Sequence, residues 1–318
     1  MNETFDVLVV GGGAAGLTAA AYCAKAGYST LICERWEKSG GLVDTFRYRD
    51  FAFDAGIRAL EDSGVITPLL RSLGLSIEFV KNPVTIGIKD RSVRLTGEES
   101  LAEYADLYKS IFPQESAAID AIIAEVVKVM RYMDVLYGIE NPLFLEEELK
   151  DPRYLTRTLL PWLLKYSVNI KKAGKLDQPV QQYLLKFTQN QQLIDMICQH
   201  FFADTPTFFA LSYFGLYLDY RYPVGGTVQL TRQLASYLTS HGGEIRLSHE
   251  AVKIDTAAHK VVFANGAEIG YRQLVWAADQ TAYYRALGEE LPKDIVAKKE
   301  LAQKSHGKIG RASCRERV

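Results

Sequence analysis

The sequence predicts an α/β chain in which a parallel-sheet domain is interrupted by an inserted α+β domain and then resumed. Three observations carry this reading. A short apolar run leads into a glycine-rich turn and an alanine-rich stretch within the first residues, Phe5 to Lys25. A second set of strand and turn signals begins at Tyr222-Pro223-Val224-Gly225-Gly226. Between the two, residues 66–220 read mainly as helix. A length of 318 residues suits about two domains. The split domain is expected over 1–65 and 221–307, and the insert over 66–220.

The first element is Phe5-Asp6-Val7-Leu8-Val9-Val10, a run suited to a strand buried on both faces. Gly11, Gly13 and Gly16 follow as GxGxxG, with Ala14 and Ala15 opening a helix that runs to about Lys25 and ends at Gly27. Ser29 to Cys33 is the next strand, and Glu34 stands at its end. This is the full βαβ context of a Rossmann-type dinucleotide site. Gly11 permits the turn, Gly13 lets backbone approach a pyrophosphate, and Gly16 lets the helix pack closely. The free N–H groups and partial positive charge of the helix N-terminus face the phosphates. Glu34 is placed to accept from ribose hydroxyls, and its charge disfavours a 2′-phosphate. Arg35 adjoins it in the same site. Cys23 and Cys33 fall on the helix and strand as small core residues.

Gly40-Gly41 comes shortly after Glu34, and Asp54-Ala55-Gly56 closes the segment Phe51 to Gly56. With these motifs the sequence resembles the flavoprotein superfamily of amine oxidases and carotenoid desaturases. The resemblance implies FAD. It places Gly40 and Gly41 near the FAD phosphates, and the backbone of Asp54 to Gly56 near the flavin ring. Members of that superfamily carry Arg after the GG, where this chain has Leu42.

In the returning half, Thr227 is expected to cap a helix whose face is Leu230, Leu234, Tyr237 and Leu238. Gly242-Gly243 ends it. Strands follow at Glu244–Leu247, Val252–Ile254 and Lys260–Ala264. Asn265-Gly266 signals a hairpin, and Leu274 to Asp279 reads as a further buried strand. This order resembles the phytoene desaturase-like group, with its carotenoid isomerases and retinol saturases. The resemblance implies that Val252 meets the adenine through its backbone; a plain core strand is the alternative.

Within the insert, Val84–Ile88 and Ser92–Leu95 form an expected hairpin. Ile119, Ile122, Ile123, Val126, Val127, Met130, Met133 and Tyr137 mark one face of a long helix. Arg153 to Lys175 carries six basic residues and no acid, interleaved with Leu and Trp162. That pattern fits either a solvated helix with a core face or peripheral contact with a membrane. The aromatic run Phe201 to Phe214 fits an apolar substrate tunnel or packing between domains. Cys198 and His200 beside it read as structural, and Asp219 with Arg221 as a salt pair or turn, with a place on the substrate side as the alternative.

A formal charge of −1 excludes a whole-molecule electrostatic case for nucleic acid. Four cysteines without CxxC spacing and scattered histidines offer no metal site. With no secretory signal pattern at the N-terminus, a cytoplasmic location is expected, with membrane contact through 153–175. Residues 308–318, KIGRASCRERV, match the translation of a common sequencing adapter. They are expected to be an artefact on a C-terminally truncated protein, itself inactive. The function implied is FAD-dependent desaturation, saturation or isomerisation of an apolar polyene or polyisoprenoid, by hydride transfer at the flavin. With no second GxGxxG for a nicotinamide, oxygen, a quinone or another carrier is the expected acceptor. No catalytic acid or base stands out, and nothing fixes an oligomeric state. An amine or protoporphyrinogen-type oxidase is the alternative on the same fold. A flavin-free lipid carrier like the GDP-dissociation inhibitors is the alternative from another class, and the intact Gly11–Gly16 and Glu34 unit argues against it.

Overall fold

The computed structural model describes residues 3–61, 64–136, 138–140, 145, 148–199, 201–202, 204–288 and 296. Tyr137, His200 and residues 308–318 therefore lie outside the described residues. The chain forms two compact units, one from Met1–Arg58 with Pro223–Val318 and one from Ala59–Tyr222.

In chain order, the first unit opens with β1 (Thr4–Val10), α1 (Ala14–Lys25) and β2 (Thr30–Cys33), then the hairpin β3 (Thr45–Tyr48) and β4 (Phe51–Asp54). The second unit holds α2 (Ile66–Ser72), β5 (Phe79–Lys81), β6 (Val84–Ile88) and β7 (Arg91–Leu95). Helices α3 (Ser100–Lys109), α4 (Ser116–Leu136) and α5 (Pro152–Tyr154) come next. One π-turn, Leu155–Leu159, joins α5 to α6 (Leu160–Gly174). Helices α7 (Val180–Leu184), α8 (Gln191–Cys198) and α9 (Thr207–Asp219) lead to β8 (Arg221–Pro223). The first unit resumes with α10 (Val228–Ser240), β9 (Glu244–Arg246), β10 (Ala251–Asp255), β11 (Lys260–Phe263), β12 (Glu268–Trp276) and α11 (Gln280–Ala286).

A six-stranded sheet in the order β10-β11-β12-β1-β2-β9 forms the first unit. β12, β1, β2 and β9 are parallel, and β10, β11 and β12 are antiparallel. β1 lies in the middle, which is why its apolar residues run without alternation: Leu8, Val9 and Val10 are all buried. Leu17, Ala20, Ala21 and Ala24 bury one side of α1, which packs beside α10. A separate cluster joins Phe5, Leu31, Ile254, Phe263 and Ile269 with Ala286 of α11. Small alanines let α1 approach the sheet closely.

Two expectations change here. The returning strand and the second arm of the Asn265-Gly266 hairpin are one element, β12. Its Val261- and Val262-facing residues pair antiparallel with β11, and its later residues run parallel to β1 through Val10↔Trp276. Gly270 stands where the two pairings meet, in register with both Lys260 and Thr4, and the strand continues through it. Leu274, Val275 and Trp276 are half-buried rather than buried, and Asp279 instead caps α11 by accepting from Ala282 N–H at 3.0 Å. The second change concerns the unit boundary. Leu60 and Arg221 exchange both backbone hydrogen bonds at 2.8 Å, and the second unit takes in 59–65 and 221–222, which the sequence places in the first.

The second unit has its own core, built from Leu101, Tyr104 and Tyr108 of α3, Ile119 and Val126 of α4, Leu193 of α8 and Phe214 of α9. The helical stripe of α4 is thus core. Among the described residues no helix is long and apolar enough to cross a membrane.

Cys33 and Cys198 are buried free thiols, and burial pushes both up to about 12. An unfolded thiol ionises near about 8.5. The unfolded state therefore loses its proton first, and stability should fall as pH rises from there towards 12. At pH 8, iodoacetamide should spare Cys33 and Cys198 in the native protein and modify both in denaturant, as peptide mass mapping would show.

Candidate functional site

The glycine turn between β1 and α1 is packed against backbone at Gly11 and Gly16 and against the Glu34 and Ser39 side chains at Gly12. Gly11 has φ +109°, and a Cβ there would meet Ala277 O at 2.8 Å. A Cβ on Gly16 would fall on the carbonyl oxygen of Gly11, deep inside contact distance. Gly13 differs: the nearest heavy atom to an added Cβ is Gly41 Cα at 4.0 Å. The protein's own packing requires glycine at 11 and 16, whereas the space at Gly13 is open. No side chain caps α1, and no acidic residue lies in its first turn. The N–H groups at Ala14, Ala15 and Gly16 therefore meet no carboxylate from their own turn, which leaves the helix end suited to an anion.

Glu34 is only 6% exposed. Its Oε2 accepts from Gly12 N–H at 2.6 Å and its Oε1 from Trp36 N–H at 3.1 Å. The side chain expected to meet a ribose thus also binds the glycine turn directly. Each oxygen keeps a second lone pair for a further donor. A strap from the returning half runs alongside. Ser248 N–H donates to Trp36 O at 3.0 Å, and His249 N–H to Glu34 O at 2.8 Å. Arg35 is exposed and its guanidinium lies 4.8 Å from the Trp36 ring.

Gly40-Gly41 is brought onto the turn. Gly40 N–H donates to Gly12 O at 2.7 Å, and Gly13 and Gly40 form a parallel bridge. Gly41 has φ +61°, and a Cβ there would come within 3.1 Å of Gly13 Cα. The loop is held from behind by Thr231 of α10, whose buried hydroxyl donates to Val43 O at 2.9 Å, and by a Lys38–Asp44 ion pair. Asp54 accepts from both the N–H and the hydroxyl of Thr227, at 3.2 and 3.0 Å. The expected capping role of Thr227 is therefore corrected. No side-chain bond caps α10, because the hydroxyl is committed to Asp54. A Cβ on Gly56 would meet Leu42 O at 2.5 Å, and Ile57 N–H donates to the same oxygen at 3.3 Å. Leu42 side-chain carbons point outward, 59% exposed.

Val252 lies on the edge strand β10, half-exposed, at a register shift between Ala251 and Lys253. It is not a buried core residue. It follows the Ser248–His249 strap by a few residues in the chain. The first unit thus brings Gly11, Gly13, Ala14, Ala15, Gly16, Glu34, Gly40 and Gly41 together at one glycine turn, holds Asp54 and Gly56 against Thr227 and Leu42, and leaves Arg35 exposed and Val252 on the edge strand. Sequence reasoning missed the bonding of Thr227 to Asp54, the role of Thr231 and the Ser248–His249 strap. Their hydrogen bonds reach partners far away in the chain, and only the pair of threonines one helical turn apart could have hinted at them.

In the second unit Asp219 and Arg221 form an ion pair at 3.2 Å. They line a cleft of about 280 Å³ with Phe79, Val80, Leu218 and Tyr220. Of the aromatic run, Phe214 is buried, and Phe202 and Phe209 are exposed. Cys198 is buried in the helical core.

Residues 14–308 match the family model described as flavin containing amine oxidoreductase. Prolycopene isomerase, chloroplastic, of Daucus carota is 24% identical over 307 residues, covering 92% of this chain and 49% of that protein. All-trans-retinol 13,14-reductase of Danio rerio is 24% identical over 336 residues, covering 97% and 53%. The human enzyme of that name is 33% identical over 140 residues, 40% of this chain and 22% of its own length. An oxidoreductase from Methanosarcina mazei superposes with TM-score 0.63 at 16% identity, over 94% of this chain and 65% of that one. Putrescine oxidase bound to putrescine gives TM-score 0.57 at 17% identity, over 93% and 63%. The chain spans about half the length of the first two relatives.

Two substitutions separate packing from ligand space. Gly16→Ala should cost roughly 3 kcal/mol in denaturant unfolding, the upper range for overpacking. Gly13→Ala should cost about 1 kcal/mol or less, a helix-cap effect. Glu34→Ala strands the Gly12 and Trp36 N–H groups and should cost about 2 kcal/mol. Glu34→Gln, which keeps an acceptor oxygen, should cost less in the same melts.

Proposed function

This chain belongs to the flavin-containing amine oxidoreductase family, and on that premise we propose that it is an FAD-dependent oxidoreductase of apolar polyenes or polyisoprenoids. The observation that carries the cofactor assignment is the open space at Gly13, walled by Gly41 and facing the uncapped end of α1. Every other glycine of the motif is filled in by the protein; this one is kept clear. A pyrophosphate supplies the charge that the helix end lacks.

In this reading the N–H groups of Ala14 and Ala15 hold the pyrophosphate, with Gly40-Gly41 as the opposite wall. Glu34 uses its remaining lone pairs for ribose hydroxyls while its bonds to Gly12 and Trp36 fix its orientation. Val252 meets the adenine with backbone that lies outside the paired register. Asp54, tied to Thr227, sets the path of the chain through Gly56 towards the ring. When bound, the flavin supplies a hydride acceptor, and the protein supplies alignment and exclusion of water.

The polyene assignment is supported by the relatives. Prolycopene isomerase and all-trans-retinol 13,14-reductase both act, by name, on conjugated isoprenoids. Putrescine oxidase shares the fold at 17% identity, which is no guide to substrate.

The test begins with the purified chain. Heat release should yield FAD, identified by chromatography against FMN. Gly13→Val should lose the flavin while keeping its far-UV circular dichroism. A detergent-dispersed polyene should perturb the bound flavin spectrum, and putrescine should not. Release of FMN, or a flavin spectrum that responds to the amine alone, overturns the reading.

A further inference from the structure

Helix α6 carries two apolar faces, and the fold uses one of them. Trp162, Tyr166 and Ala173 recur at helical spacing on the side towards α4. Trp162 donates its indole N–H to Val135 O at 2.6 Å, and Ala173 is the one buried residue of the helix. The opposite side bears Leu160, Leu163, Leu164 and Val168, with Leu164 65% exposed and Leu160 and Val168 54%. These recur at i, i+3, i+4 and i+8, one continuous stripe. A helix on a water-facing surface normally turns polar residues outward, and an exposed apolar patch marks a contact.

The charge around the stripe says which contact. From Arg153 to Lys175 every ionisable group that is charged at neutral pH is basic. Arg153 and Arg157 precede the stripe, Lys165 flanks it, and Lys171 and Lys175 lie towards its C-terminal end. Their flexible stems can lie along apolar surface while the ammonium groups reach phosphate. A protein partner would need a matching acidic rim around an apolar groove. An anionic bilayer offers both features over any area: acyl chains below and phosphate above.

We propose that α6 lies in the plane of an anionic membrane surface, with Leu160, Leu163, Leu164 and Val168 inserted among the lipids and the flanking lysines and arginines at headgroup level. The α4-facing side anchors the helix to the rest of the second unit, so docking needs no refolding of that unit. This assignment is independent of the flavin site.

The experiment is flotation of the 318-residue chain with vesicles of phosphatidylcholine alone or mixed with phosphatidylglycerol. The chain should float with the phosphatidylglycerol vesicles, remain below with phosphatidylcholine alone, and lose binding as salt rises. Leu164→Glu should weaken the partition more than tenfold. Lys165→Glu should weaken it at least about fivefold, the worth of one basic residue near such a surface. Both positions are exposed, and unchanged thermal melts would confirm that the variants fold. Val168→Ser gives a milder check on the same stripe. Absence of flotation overturns the proposal, as does flotation that survives Leu164→Glu. So does a wild-type dimer in light scattering that Leu164→Glu splits, since the stripe would then be covered by a second copy of the chain.

Discussion

The arrangement rests on one close approach, that of Gly16 in α1 to the carbonyl of Gly11. With no side chain between them, the first turn of the helix can sit on the end of β1 itself. That sets the height at which the N-terminus of α1 points across the sheet. The Gly40-Gly41 loop can then bond to Gly12, and Glu34 can reach the same residue from β2. The turn is clamped from the Ala277 side, from Glu34 and from Gly40 at once. A rigid, side-chain-free floor is what a large anionic ligand needs, because its binding then costs little reordering of the protein.

Clamping explains why Glu34 has two tasks. A carboxylate held by two backbone N–H groups keeps a fixed rotamer, and its remaining lone pairs are presented in a defined direction. The same logic runs through Asp54 and Thr227. A segment that must pass close to a ligand is held by a charged hydrogen bond to the start of a helix rather than by its own apolar packing. The β3–β4 hairpin beside it leaves Phe46, Phe51 and Phe53 largely exposed, so packing alone would hold it poorly.

Much of this was legible in the sequence wherever the signal was local. The bounds of α1 follow from Gly13 and Gly27, the β6–β7 and β11–β12 turns from their turn residues, and the α4 face from its period. The glycine roles at 11 and 16 were legible too, since a motif of that spacing has one geometry. Other features depend on pairing at long range. Nothing near Thr227 announces Asp54, and nothing near Gly40 announces Gly12. The unbroken run of β12 was hidden because Gly270, where the pairing passes from β11 to β1, reads in sequence as a break. Register shifts such as the one at Val252 are likewise set by the partner strand. Membership of the flavin-containing family, in contrast, was carried by the motifs themselves.

The reciprocal pairing of Leu60 and Arg221 has a consequence for how the chain folds. β1 and β12 are neighbours in the sheet although the whole second unit is threaded between them. Closing so long a loop by chance is entropically costly and slow. The second unit, however, is contiguous in sequence and has its own helical core, so it can form before the sheet is complete. Once formed, it holds its two ends as an antiparallel pair, with Cα atoms about 5.5 Å apart. For the outer segments the pairing then shortens the effective loop between Val10 and Glu268 from about 260 residues to about 100. That little more than one halving of the loop recovers about 0.9 kcal/mol of closure entropy. The insert thereby lowers, by a modest amount, the cost of bringing the two halves of the split sheet together.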